Sequence, residues 1–128
     1  MNFGSDNWGP ALPEVMDALH KANGGYAVPY GDDDLMGEVR DLIRTLFEAP
    51  EAAVYLVATG TAANSIALAT FSQPWQTIFC TPLAHIHTDE GNAPEFYTGG
   101  AKLTLVGEAD KMTPAELEAA INGWTKGD

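Results

Sequence analysis

Apolar residues recur at helical spacing near the start of the chain. Leu12, Val15, Met16 and Leu19 share one face of a segment running from Leu12 to Asn23, with Pro13 in its first turn and Gly24-Gly25 at its end. A second face, made by Leu35, Val39, Leu42, Ile43 and Leu46, predicts a helix from about Asp34 to Phe47. Between them, Tyr26 to Asp34 reads as an irregular loop with Pro29, Gly31 and consecutive aspartates. The period then changes. Ala52 to Thr59 is an apolar, β-prone run that predicts a strand, and Ala62 to about Phe71 is alanine-rich and helical. Thr77 to Cys80 and Lys102 to Val106 are shorter strand patterns, separated by the polar segment His85 to Gly100. Thr113-Pro114-Ala115-Glu116 has capping-box spacing and opens a last helix with Leu117, Ala120, Ile121 and Trp124 on its apolar face.

Strands alternating with helices predict an α/β fold, a mostly parallel sheet flanked by helices. The 128 residues are one domain's worth of chain, expected as an N-terminal arm over 1–11 and an α/β portion over 12–128. No apolar run is long enough to span a bilayer, and the N-terminus lacks the basic start and apolar core of a signal peptide. Cys80 is the sole cysteine, so no internal disulfide forms, and a cytoplasmic location is expected. The formal net charge of −12 argues against nucleic acid or an anionic membrane as partner, because no basic patch exists to displace counterions.

Candidate chemistry concentrates at two places. In the first, the run Val54 to Thr59 turns at Gly60 and enters a helix at Thr61-Ala62. A helix N-terminus has free backbone N–H groups and a partial positive charge, so it favours a phosphate or another anion. Gly60 lets a ligand approach the backbone, and Thr61 adds a hydroxyl. The second place is His85-Ile86-His87-Thr88-Asp89-Glu90. Three readings of it stand side by side. His85, His87 and Asp89 have the His-x-His-x-Asp spacing of a metal-dependent hydrolase. Alternatively the run is a polar loop leading into a helix, with Asp89 and Glu90 near that helix's N-terminus. In the third reading His85 presents its ring to a planar cofactor.

An ordered set of local patterns favours the third reading. Ser5-Asp6-Asn7, Tyr30-Gly31-Asp32-Asp33, Gly60-Thr61-Ala62-Ala63-Asn64, His85 to Glu90 and Gly91-Asn92-Ala93-Pro94-Glu95-Phe96 occur in the order and spacing of one family. Together they resemble the opening part of the low-specificity L-threonine aldolases, within the β-eliminating lyase group. The resemblance implies the N-terminal portion of a fold type I large domain, the fold of pyridoxal-phosphate-dependent transferases. It implies pyridoxal 5′-phosphate as cofactor and cleavage of a β-hydroxy-α-amino acid to glycine and an aldehyde. On that resemblance Gly60, Thr61 and Ala62 form the phosphate cup. His85 stacks on the cofactor ring close to the substrate's β-hydroxyl, and Asp89 faces the substrate side chain. Glu90 is a carboxylate near the cofactor, and Ser5 helps hold the substrate carboxylate. The resemblance also implies a homo-oligomer.

The family further needs a lysine that forms the Schiff base with the cofactor, an aspartate at its pyridine nitrogen and an arginine for the substrate carboxylate. Lys21, Lys102, Lys111 and Lys126 all lie outside a matching context. The chain is therefore expected to be an N-terminal fragment without activity of its own. A non-enzymatic α/β module that binds anions or a partner is the alternative from a different class.

Overall fold

A computed structural model of the chain describes residue 4 and residues 8–125. The Ser5 position expected to hold a substrate carboxylate lies outside the described residues. The chain divides into two compact units, Met1–Val54 and Tyr55–Asp128.

The first unit holds two helices. α1 spans Pro13–Ala22, with Pro13 at its start, where no backbone N–H is needed. The Asn23 N–H closes it by donating to the Leu19 carbonyl at 3.0 Å. α2 spans Asp34–Leu46, and the Asp33 carboxylate caps it by accepting from the Met36 N–H at 3.0 Å. Its end turns through Glu48 at positive φ, and Arg44 Nε reaches forward to donate to the Ala52 carbonyl at 2.9 Å. Neither helix buries a residue. The apolar faces legible in the sequence are present but uncovered, with Leu12, Leu19, Leu42 and Leu46 all more than half exposed.

The second unit carries the sheet. Its elements are α3 (Gly60–Phe71), β1 (Thr77–Cys80), α4 (His85–Thr88), α5 (Ala93–Tyr97), β2 (Lys102–Leu105) and α6 (Pro114–Thr125). β1 and β2 pair in parallel, from Thr77 opposite Lys102 to Cys80 opposite Leu105. The ladder is extended at both ends by Lys102 N–H to the Gln76 carbonyl (3.1 Å) and Val106 N–H to the Cys80 carbonyl (2.8 Å). Parallel strands need a crossover, and α4 and α5 supply it. α3 packs against α5. The buried interior is small: Cys80, Ala101, Leu103 and Val106, with Pro94 and Ser65 fully enclosed. α6 begins with the expected capping box, in which the Glu116 carboxylate accepts from the Thr113 N–H and hydroxyl, both at 2.7 Å.

The α/β class and the parallel pairing agree with the sequence pattern. One element differs. The run Ala52 to Thr59 forms no strand. A β-prone sequence becomes a strand only when a neighbour supplies the ladder, and the β1–β2 pair is the sole sheet among the described residues. The run stays unpaired, with Tyr55 at 84% exposure, and the division between the two units falls inside it. An unpaired segment with few contacts is where such a division is expected.

Candidate functional site

The first half of the site is the start of α3. Thr59 is extended (φ −143°, ψ 158°), and its hydroxyl accepts from the Ala62 N–H at 3.1 Å. This is an N-cap of the usual kind. The N–H groups of Gly60 and Thr61 precede the helical ladder and take no acceptor among the described residues. Space beside Gly60 is open, since a Cβ there would meet nothing within 4 Å. The helix therefore presents two open donors at its positive end. The third expected donor, Ala62, is already engaged by Thr59.

The second half follows the carboxyl end of β1, the side of an α/β sheet where ligands bind. After Cys80 the chain passes through Thr81 and Pro82, and His85 begins the short helix α4. Asp89 caps the other end of α4, its N–H donating to the His85 carbonyl at 2.9 Å. Gly91 and Asn92 then both adopt positive φ and reverse the chain into α5. Glu90, at the start of that reversal, turns inward, and its side chain is fully buried.

Two donors converge on one oxygen of Glu90. His85 Nδ1 lies 2.8 Å from Oε1, and Asn64 Nδ2 donates to the same atom at 2.7 Å. The other oxygen, Oε2, is buried without a partner. The His85 side chain is otherwise open, at 65% exposure. Asn64 is four residues beyond Gly60 on α3, so it stands on the same helix face, about 6 Å along the axis. The network thus ties the imidazole to the helix whose N-terminus offers the two free donors.

The remaining candidates divide clearly. His85 and Glu90 come together; Gly60 and Thr61 belong to the same unit, joined to them through Asn64. Asp89 is exposed, its carboxylate accepting from its neighbour Thr88 at 2.6 Å. Asp89 and Glu90 follow α4 and stand just before α5, whose Ala93 N–H donates to the Glu90 carbonyl at 3.0 Å. His85, His87 and Asp89 do not gather into a metal site: no group of three or more His, Cys, Asp or Glu able to hold a metal ion occurs among the described residues. The geometry explains this, because positions i and i+2 of a helical turn do not share a face. A cavity of about 690 Å³ exists in the first unit, lined by residues such as Lys21, Tyr26, Val28 and Asp33, and none of the candidate residues lines it.

Asn64 is the residue whose part was not read from the sequence, although it belongs to the Gly60-Thr61-Ala62-Ala63-Asn64 pattern. Its four-residue spacing from Gly60 is the signal that marks it. Thr59, which the sequence placed at the end of a strand run, is a second such residue, since a threonine directly before a helix start is a capping signal.

The arrangement defines a class: an α/β protein with anion donors at a helix start and, beside the same helix, an imidazole backed by a buried carboxylate. The comparisons with known proteins specify it further. Residues 2–126 match the model of the β-eliminating lyase family, and the chain belongs to that family. It is 42% identical over 116 residues to low specificity L-threonine aldolases of a Pseudomonas species and of Pseudomonas aeruginosa, a stretch covering 90% of this chain and 33% of each relative. A solved structure of Leishmania major threonine aldolase superposes with a TM-score of 0.80 at 30% identity, over 88% of this chain and 32% of that one. The fold is that of the fold type I pyridoxal-phosphate enzymes, as the sequence led us to expect. The chain spans about a third of the length of the curated relatives it matches. No helix among the described residues is long and apolar enough to cross a membrane.

Proposed function

We propose that this chain supplies the cofactor-phosphate anchor and the proton-handling histidine of a pyridoxal-phosphate-dependent aldolase that cleaves threonine-like β-hydroxy-α-amino acids to glycine and an aldehyde. The observation that carries this reading is the link, through Asn64 and Glu90, between the open donors of α3 and His85. The 42% identity to threonine aldolases supports it from the other side.

The residues fit the group. A phosphate needs several donors and a favourable field, and the Gly60 and Thr61 N–H groups at the start of a 12-residue helix offer both. The Thr61 hydroxyl adds a third donor. Ala62 would join only by exchanging Thr59 for the ligand. The pyridoxal ring, when bound, supplies an electron sink for the pair left at the substrate's α-carbon. This chain's residues would supply only part of the remaining machinery, since none of its lysines stands in the context of the Schiff-base lysine. With the cofactor bound, His85 would lie beside its ring and would take the proton from the substrate's β-hydroxyl, a transfer suited to a neutral imidazole. Exposed Asp89 faces the substrate side chain, and Ser5 assists at the substrate carboxylate. Association of identical subunits and a cytoplasmic location belong to the same reading. Wide apolar exposure at Tyr55, Phe71 and Phe96 supports the association.

Titration of the chain with pyridoxal 5′-phosphate, followed through backbone amide resonances, tests the reading. The Gly60 and Thr61 amides should shift most, and inorganic phosphate should compete. Shifts confined to other segments, or none at saturating cofactor, would overturn it.

A further inference from the structure

We propose that Glu90, steadied by Asn64, is the positioning residue for His85, fixing its proton on Nδ1 and leaving the Nε2 lone pair to face the ligand. The proposal rests on the reading of His85 as the group at the substrate hydroxyl, but its geometry stands independently.

Three observations carry it. First, Glu90 Oε1 lies 2.8 Å from His85 Nδ1, and an ionised carboxylate can only accept, so this contact selects the tautomer with the ring proton on Nδ1. A neutral imidazole with a proton on one nitrogen has a lone pair on the other, and a second partner commonly decides which. Second, Asn64 Nδ2 donates to the same oxygen at 2.7 Å, which prevents the carboxylate from rotating away from the ring. Third, the arrangement is poor as a stabilising device. The Glu90 side chain is fully buried and its Oε2 has no partner. A buried carboxylate with an orphan oxygen costs stability. His85 is largely exposed, so little burial is gained by holding it. The contact makes sense if its product is the orientation and tautomer of the ring.

His87 provides an internal control. It lies two residues away on the same helix, is exposed, and makes no side-chain hydrogen bond among the described residues. The experiment is long-range proton–nitrogen correlation of the histidine rings in the 128-residue chain at a pH where both are neutral, without cofactor. His85 should show a protonated, pyrrole-type Nδ1 and an unprotonated Nε2, while His87 shows the averaged pattern of a free imidazole. Glu90→Leu should abolish the distinct His85 pattern and make it resemble His87. Asn64→Ala, a change at an exposed helical position, should move His85 part of the way and keeps the test available if Glu90→Leu does not fold. A wild-type His85 pattern equal to that of His87, or one unchanged by both substitutions, overturns the proposal. Because no cofactor is present, this outcome is separate from failure of the amide titration.

Discussion

Ser65 lies inside α3, is fully buried, and its hydroxyl has no hydrogen-bond partner among the described residues. Removing that hydroxyl should stabilise the second unit. An unsatisfied buried polar group costs about 1–3 kcal/mol. Serine in a helix interior costs up to about 0.7 kcal/mol relative to alanine. Ser65→Ala leaves a hole smaller than a methyl group, a penalty below about 1 kcal/mol. The gains exceed the loss, and the net is a stabilisation of about 1–2 kcal/mol. Two compact units need not unfold together, so the probe must report the second one. The ladder amides of Lys102 and Val106 do so, because they donate across the β1–β2 pair to the Gln76 and Cys80 carbonyls. If they exchange through unfolding of the unit, exchange should slow by roughly 5–30-fold. In urea, with a slope of about 1–3 kcal/mol per molar, the midpoint should rise by roughly 0.3–2 M. Faster exchange or a lower midpoint in Ser65→Ala would refute the reasoning, since it would mean that the hydroxyl satisfies a partner in solution.

Gly107 has φ +71°, and a Cβ there would lie 3.1 Å from a Glu116 carboxylate oxygen, so Gly107→Ala should cost at least the roughly 1–2 kcal/mol of a left-handed alanine. Thermal unfolding should shift down by several degrees, and an unchanged midpoint would contradict the strain. Bonds from the Thr113 N–H and then its hydroxyl hold the Glu116 carboxyl below its ordinary value. A lowered folded-state value means that this support is present above the ordinary carboxylate range and is lost as pH falls through the lowered value. The α6 amides should lose protection over that acid window in the wild type, and Glu116→Gln should flatten the dependence. Burial, and then the charge of Glu95, push the Cys80 thiol up, so the thiolate is disfavoured. Iodoacetamide should label Cys80 far more slowly in the folded chain than in urea; equal rates would show the thiol to be accessible.

The helices were legible because their signals are local. Leu35 to Leu46 repeat within one element, and Thr113 and Glu116 meet across three residues. The run from Ala52 to Thr59 was not legible as it stands, because the partner that makes a strand is never in the strand's own sequence. The segment after His85 failed differently. Its polar composition concealed two short helices, and the reversal through Gly91 and Asn92 depends on left-handed backbone that the pattern of charges does not signal. The helix start with its open donors was visible from Gly60 and Thr61 alone, since a helix start is a property of a few consecutive residues. The tie between Asn64 and Glu90 was not, because it joins residues 26 apart.

Neighbouring positions on α3 therefore have opposite expected balances. Ser65 points its hydroxyl into the interior and meets nothing, so the group is a cost without a visible return. Asn64, one residue earlier, reaches the single bonded oxygen of a buried carboxylate whose other oxygen is also unpaired. Alanine favours the helix at either site, but Asn64→Ala also gives up a hydrogen bond to a buried carboxylate, whereas Ser65→Ala gives up none. The difference lies in what the removed group was holding. Ser65→Ala should leave the His85 ring unchanged while strengthening the fold. Asn64→Ala should change the ring whatever it does to the fold. If both substitutions altered stability alone and neither moved the His85 nitrogens, the buried carboxylate would be a packing accident rather than part of the site. If the ring followed Asn64 and ignored Ser65, the cost of burying Glu90 would be explained by the orientation it imposes.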